Sequence, residues 1–360
     1  MWSEPVLPGT VSPGAMAPAP AVAVSIPPDL SARYARSREG RAWLDSLPGL
    51  LEDRLEQWRL EVDLAPGSLP WNGHGGVVVP VRREDGSPAA LKIAFPHDEA
   101  KVERHALALW GGRGAVAMLA SDAESCAMLL ERLDAGRSLA DLDMEDAAQV
   151  WGGLVRQLGL APDHRAEWQE FGHIAARAEQ WSDDLPADWE PLGRPFPRWL
   201  LEAALEVCQT RGAVGRRSAH DLLVHTDLHF LNILARPGRE AAGEPPAPAS
   251  YAAIDPQPMI GEPEFAVAPL LWNRLGDLPA AQAGQGLLRR CHDFSTAAGL
   301  DPDVARQWGI AREVDNALWY AARGHLGDLS RSLWVASTLA GNTVDGLPHP
   351  HALPEPGQGG

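Results

Sequence analysis

Apolar residues fall into two kinds of run in this chain, and the two kinds are sorted along it. From Asp29 to about Leu47, and from Pro48 to about Trp58, they recur at helical spacing, with Asp29 as the expected N-cap. From Trp58 the period shortens. The runs WRLEVDL, VVVPV (77–81) and AALKIAF (89–95) read as strands, and the Asp85-Gly86 pair between the last two predicts a hairpin. HDEAKVERHALALW after Pro96 reads as a helix, and MLASD and CAMLLERL as two more strands. Residues 138–210 keep helical spacing, with most of Trp151, Trp168, Trp181, Trp189 and Trp199 expected in the core and most of the nearby acids expected as caps or solvated faces. Strand-like runs return at 222–224, 233–235 and 251–254, and Gln282 to Leu339 reads as two or three further helices. The sum is an α+β chain whose strands gather early and whose helices follow. Residues 1–28 and 346–360 are rich in Pro, Gly and Ala and are expected to be disordered tails.

The densest polar cluster sits between two of the strand-like runs. Leu222 to Val224 lead into His225, Thr226, Asp227, His229 and Asn232, the chain turns apolar again at Ile233, and the run 251–254 ends in Asp255. Asp227 and Asn232 are 5 apart (232 − 227), and Asp255 follows Asp227 by 28 (255 − 227). Phosphoryl transfer from a metal–nucleotide needs a carboxylate to orient the attacking hydroxyl, plus an amide oxygen and a second carboxylate to hold magnesium. The kinase scheme has this order and spacing, which makes Asp227 the candidate catalytic residue and Asn232 and Asp255 the candidate magnesium ligands. A zinc hydrolase built from the alternating His225, Asp227 and His229 is a rival, as is a polar turn without chemistry. The hydrolase reading leaves Asn232 and Asp255 without a role.

Two further signals lie upstream. Lysine occurs only at Lys92 and Lys101, and the other 29 of 31 basic residues are arginine (31 − 2). A lysine surviving such replacement marks a place where a compact ammonium is wanted, which puts weight on Lys92 in its strand. The segment NGHGG offers Gly73, Gly75 and Gly76, where backbone can approach phosphates closely, although a ligand-free hairpin turn would look the same. No GxxxxGK[ST] loop occurs, so any nucleotide needs a kinase-type cradle.

The stretch HTDLHFLNIL together with AIDP resembles the aminoglycoside phosphotransferases, closest to their streptomycin and hydroxyurea kinase branch. Their loop reads HGDLHxxN, so Thr226 stands where Gly is usual; Glu262 and Ala266 stand where GDPxxD is frequent. The resemblance runs from about Leu50 to about Arg274. It implies a protein-kinase-like two-lobe fold: a small lobe with a five-stranded antiparallel sheet over 29–130, and a larger, mainly helical lobe over 131–345. It implies ATP and Mg2+ as cofactors, a Lys92–Glu103 ion pair with Glu99 as a possible substitute, and a hinge at Glu131 to Leu133 whose backbone reads the base. Asp134 and Gly136 then mark the exit turn. The implied reaction is transfer of the γ-phosphate of ATP to a hydroxyl of a small acceptor, an antibiotic first. A choline-like or sugar-like metabolite, and a nucleotide-binding regulator without turnover, are the alternatives; a regulator would have no use for Asp227.

Composition narrows the partners. The net charge of −17 argues against nucleic acid and anionic membrane, and suits a cationic acceptor. Three scattered cysteines, with no CxxC, fit a reducing cytoplasm. No apolar run reaches membrane-spanning length, and the apolar stretch 21–26 lacks a signal peptide's basic start.

Overall fold

Alternation along one strand builds the first core. In a computed structural model describing residues 24–73, 75–212, 220–238 and 247–356, Val77, Val79 and Val81 point to one face of their strand and are fully buried. They meet Trp43, Leu47 and Leu51 from a long helix. That helix, α2 (Arg38–Gln57), follows a short α1 (Pro28–Tyr34). The expected break at Pro48 is absent; Pro48 lies inside α2, whose apolar face is held against the sheet on both sides of it. The break comes at Ala35 to Ser37, where Ser37 turns extended and its side chain caps the Gly40 N–H. Asp29 lies in the first turn of α1 and is not its cap.

The strands are β1 (Glu61–Val62), β2 (Trp71–Asn72), β3 (Gly76–Arg82), β4 (Pro88–Ala94), β5 (Met118–Asp122) and β6 (Ala127–Glu131). Five of them form the antiparallel order β1-β3-β4-β6-β5, and the two-residue β2 pairs with β3 as a sixth. The Asp85-Gly86 turn joins β3 to β4, with Gly86 at φ 79° and the Asp85 carboxylate accepting from the Ser87 N–H. Helix α3 (Asp98–Trp110) lies between β4 and β5.

The larger lobe is mainly helical, with α4 (Met144–Leu158), α5 (Ile174–Trp189), α6 (Arg198–Arg211), the single turn α7 (Ala268–Leu271), α8 (Ala283–Ala298), α9 (Pro302–Arg323) and α10 (Leu326–Leu339). Its strands are β7 (Asp134–Ser138), β8 (Gly172–His173), β9 (Leu222–His225), β10 (Ile233–Ala235), β11 (Tyr251–Ala253) and β12 (Pro258–Gly261). They form two small sheets, β11-β10-β7 and β8-β12-β9. The segment expected as an exit turn at Asp134 and Gly136 is therefore strand β7, because β10 offers it an edge. Trp151, Trp168, Trp181 and Trp189 are buried, Trp199 packs partly against the same core, and Asp143 caps α4.

Parts of both segments expected as tails pack on the folded lobes. Val24 and Ile26 pack against the small-lobe core. At the other end Leu353 is buried, and the His351 ring bonds the Leu278 carbonyl at 2.7 Å. A few apolar anchors suffice to dock Pro-rich backbone. Residues 1–23, 74, 213–219, 239–246 and 357–360 lie outside the described set, as does the Glu99 side chain.

The α4–α8 crossing depends on a missing side chain. A Cβ at Gly152 would lie 2.4 Å from the Ala297 carbonyl oxygen. Gly152→Ala should therefore lower stability by about 1–3 kcal/mol by overpacking, although alanine favours helix. Urea unfolding checks this; a variant as stable as the parent would mean that the helices separate freely.

Candidate active site

The loop after β9 is held mostly by backbone. β9 pairs antiparallel with β12, setting His225 opposite Pro258 and bringing the ends of the two strands together. The buried His225 ring donates from Nε2 to the Ile254 carbonyl (2.9 Å) and accepts from the Asp227 N–H at Nδ1 (3.2 Å). It stacks on Trp110 of α3 at 6.3 Å between centroids. Burial pushes its pKa down to about 4, so the ring is neutral, as this donor–acceptor pattern requires. Thr226 donates its hydroxyl to the Gln257 carbonyl at 2.6 Å, tying the loop to the segment after Asp255. Its side chain thus has a structural use that glycine could not supply.

Asn232 closes the loop. Its Nδ2 donates to the Asp227 carbonyl at 2.9 Å and, more weakly, to the Asp227 carboxylate at 3.3 Å. The amide nitrogen is thereby committed, which leaves Oδ1 for a ligand. The Ile254 N–H donates to the Asn232 carbonyl at 2.9 Å and fixes the residue before Asp255. Asp255 itself has φ 51°, a left-handed conformation unusual for a residue with a side chain, at the turn between β11 and β12.

Across the cleft, Lys92 of β4 reaches both carboxylates of α3 and the turn. Its ammonium lies 2.7 and 2.8 Å from the Glu103 oxygens and 2.5 Å from Asp255 Oδ1. Burial alone would favour the neutral amine, but Asp255 and Glu103 outweigh it and hold the Lys92 pKa above its ordinary value. The same ammonium holds the Asp255 carboxyl below its usual range. Lys101, the other lysine, is exposed on α3.

Gly73, Gly75 and Gly76 arch over this group. A Cβ on Gly73 would come within 3.4 Å of Asp255 Oδ2, and one on Gly76 would strike the Ile93 carbonyl at 2.3 Å. Arg33 of α1 donates to the Gly73 carbonyl at 2.7 Å, and Asn72 to Asp29 at 2.5 Å, so the first helix braces the arch. The three glycines share one cavity of about 530 Å³ with Lys92, Glu103, Asp227, Asn232 and Asp255.

Two expected residues do not line it. Glu131 bonds the Ala117 N–H (3.0 Å) and Arg236 (2.8 Å), and its side chain is spent on bracing the junction of the lobes. Leu133 is buried in the large-lobe core. Their side chains are structural, and only their backbone could serve a base at the hinge. The structure adds two residues that local sequence did not single out. Arg312 of α9 bonds the loop at the Thr226 carbonyl and at Asp227 Oδ1 (3.2 Å). Trp319, 49% exposed and about two turns further along α9, lines the same cavity. Neither belongs to a motif, and α9 lies far along the chain from the loop.

The zinc-hydrolase reading fails on hydrogen bonds. Both His225 nitrogens are engaged with backbone, and its buried ring offers no lone pair to a metal. Asn232 and Asp255, both on the cavity wall, offer hard oxygen donors, which suit magnesium and not zinc. Glu262 also replaces the expected aspartate with a use of its own, accepting from Arg211 (3.1 Å) and Trp308 (2.8 Å).

A strand-rich small lobe, a helical large lobe and a cleft with this lysine–carboxylate group make the protein a phosphotransferase of the protein-kinase-like fold. Among solved structures it is similar to an aminoglycoside phosphotransferase in ternary complex with ADP and hygromycin B, with a TM-score of 0.52 at 15% identity over 81% of this chain and 96% of that one. It is similar also to a Plasmodium vivax ethanolamine kinase, with a TM-score of 0.51 at 11% identity over 78% of this chain and 81% of that one. The profile of the aminoglycoside/hydroxyurea antibiotic resistance kinases matches residues 61–166 and 206–324. The streptomycin 6-kinase of Streptomyces glaucescens is 36% identical over 89% of this chain and 98% of its own length. The hydroxyurea phosphotransferase of Kitasatospora aureofaciens is 34% identical over 84% and 81%. The chain belongs to the aminoglycoside/hydroxyurea antibiotic resistance kinase family.

Two measurements probe this site. Lys92→Arg should cut turnover on the order of a hundredfold, since a planar fork cannot meet Glu103 and Asp255 as a point charge does, while Lys101→Arg should be silent. Equal behaviour of the two variants would remove the special place of Lys92. The second concerns His225. Its pKa is lowered from 6.5 to about 4, so the unfolded chain takes up the proton first, and stability falls as pH drops from 6.5 towards 4. Between pH 7 and pH 5 the loss should be about 2 kcal/mol. Glu313, pushed up to about 7 by burial, has the opposite linkage, so the test is the difference between parent and His225→Gln in urea unfolding at the two pH values. Parallel losses in both proteins would deny His225 its role.

Proposed function

We propose that the protein phosphorylates a hydroxyl of an antibiotic with ATP, using Asp227 to orient the acceptor and Asn232 and Asp255 to hold magnesium. The observation that carries this is one cavity in which Lys92, Glu103 and Asp255 face Asp227 and Asn232. Magnesium bound there supplies charge neutralisation along the phosphates. Lys92 offers a point charge to the inner phosphates, and Glu103 keeps it from swinging away. Lys92 engages Asp255 Oδ1, so Asp255 would have Oδ2 left to hold the cation. The glycine arch lets backbone N–H groups close on phosphate oxygens without side chains between. Trp319 lines the same cavity and offers an aromatic face to what binds there.

A streptomycin-like aminoglycoside is the preferred acceptor, and hydroxyurea comes second. Similarity to the streptomycin 6-kinases over most of the chain supports this order. The acidic balance of −17 adds that a cation would be drawn towards the cleft, with an attraction that weakens in salt. A cytoplasmic setting follows from the proposed use of ATP and agrees with three free cysteines. Among the described residues no helix is long and apolar enough to cross a membrane.

The test is turnover of purified protein against aminoglycosides, hydroxyurea, choline and ethanolamine, read by product mass, with Asp227→Ala beside it. Streptomycin phosphate should form only with magnesium or manganese, and Asp227→Ala should lose several powers of ten in rate while still binding ATP. Product from choline or ethanolamine alone would replace the antibiotic with a metabolite. Near-parent turnover by folded Asp227→Ala would end the mechanism.

A further inference from the structure

The loop carrying Asp227 receives a side chain from a helix that no motif connects to it. Arg312 of α9 places one guanidinium nitrogen on the Thr226 carbonyl and the other 3.2 Å from Asp227 Oδ1. Its side chain is only 15% exposed, and its guanidinium lies 5.7 Å from the Phe265 ring centroid, so the fork has little freedom. We infer that Arg312 is a positioning residue for the transfer reaction: it sets the angle at which Asp227 meets the acceptor hydroxyl. This rests on the reading of Asp227 given above.

The geometry leaves room for that task. An ionised carboxylate has about four lone-pair positions on its two oxygens. Arg312 takes one on Oδ1, and Asn232 takes one on Oδ2 at 3.3 Å. His229 Nε2, at 3.8 Å from Oδ2, is beyond a hydrogen bond. Each oxygen therefore keeps a lone pair for an acceptor hydroxyl, and the carboxylate is held at both oxygens. In a loose phosphoryl-transfer transition state the group beside the hydroxyl mainly orients it, so a guanidinium held against Asp227 is compatible with the chemistry. The bond to the Thr226 carbonyl adds a second anchor on the residue before, so backbone and side chain are set together. A lysine at 312 could reach one of the two acceptors, not both.

The experiment compares Arg312→Met, Arg312→Lys and Asp227→Asn by steady-state kinetics with ATP and streptomycin, by thermal melting, and by calorimetric binding of ADP. Arg312→Met should lose about a hundredfold in kcat, with the KM for ATP and the affinity for ADP within about twofold of the parent. Arg312→Lys should recover about tenfold of that loss at the same melting temperature. The double variant Asp227→Asn with Arg312→Met should be no slower than Asp227→Asn alone, because a positioner has nothing left to position. A folded Arg312→Met protein with parental kcat overturns the inference, and Asp227→Asn remaining inactive shows that the reading of the site survives. A loss that follows melting temperature through both Met and Lys variants makes Arg312 a structural brace and also overturns it. Should the parent phosphorylate neither streptomycin nor hydroxyurea, the acceptor assignment fails by itself. The crystal structure of Arg312→Met with ADP then decides: an Asp227 carboxylate moved by about 1 Å or more supports positioning, and an unmoved one refutes it.

Discussion

A single buried ammonium holds this cleft together. Lys92 belongs to the small-lobe sheet, Glu103 to the helix beside it, and Asp255 to a turn of the larger lobe, and the ammonium lies within 2.8 Å of both carboxylates. Burying such charges is unfavourable unless each is paired and hydrogen-bonded, and removing one partner from a buried pair typically costs about 3–5 kcal/mol. The arrangement is thus poor as a source of stability and good as a constraint. It allows one relative placement of strand, helix and turn, and that placement aims Asp255 at the space beneath the glycine arch.

The second constraint is how much of the site is set by backbone. His225 bonds the Ile254 carbonyl and the Asp227 N–H, Thr226 bonds the Gln257 carbonyl, and Asn232 bonds the Asp227 carbonyl. Backbone partners stay in place whatever their side chains become, so the loop geometry is insulated from drift nearby. The same logic operates at the lobe junction. There Arg236 gathers the carbonyls of Gly112, Ala115 and Tyr251 together with the Glu131 carboxylate. Glu131 was legible as a hinge residue, yet its side chain serves this junction and faces away from the cavity.

Where the fold departs from local preference, the cause is physical. Pro48 looked like a helix boundary because proline forfeits a backbone hydrogen bond, but packing of Trp43, Leu47 and Leu51 on the sheet carries the helix through it. Asp134 and Gly136 are turn-favouring residues, and β10 supplies the edge that makes 134–138 a strand. The Pro-rich ends looked disordered by composition, while Val24, Ile26 and Leu353 each found a place on a core. In each case tertiary contact outweighed local preference.

Short-range chemistry was written in the sequence. Five strand-like runs, the spacing of Asp227, Asn232 and Asp255, and the scarcity of lysine all depend on residues near one another, or on composition, and so could be read without coordinates. What tertiary structure decided is what reaches the loop from afar. Arg312 and Trp319 sit on a helix whose periodicity predicts only that it is a helix; which of its faces meets Asp227 follows from how α9 packs against the turn after β12 and against α10. Helix spacing fixes the angle between side chains on one element and says nothing about its rotation against another. That rotation is set by the whole core at once, and it chose the arginine beside the aspartate.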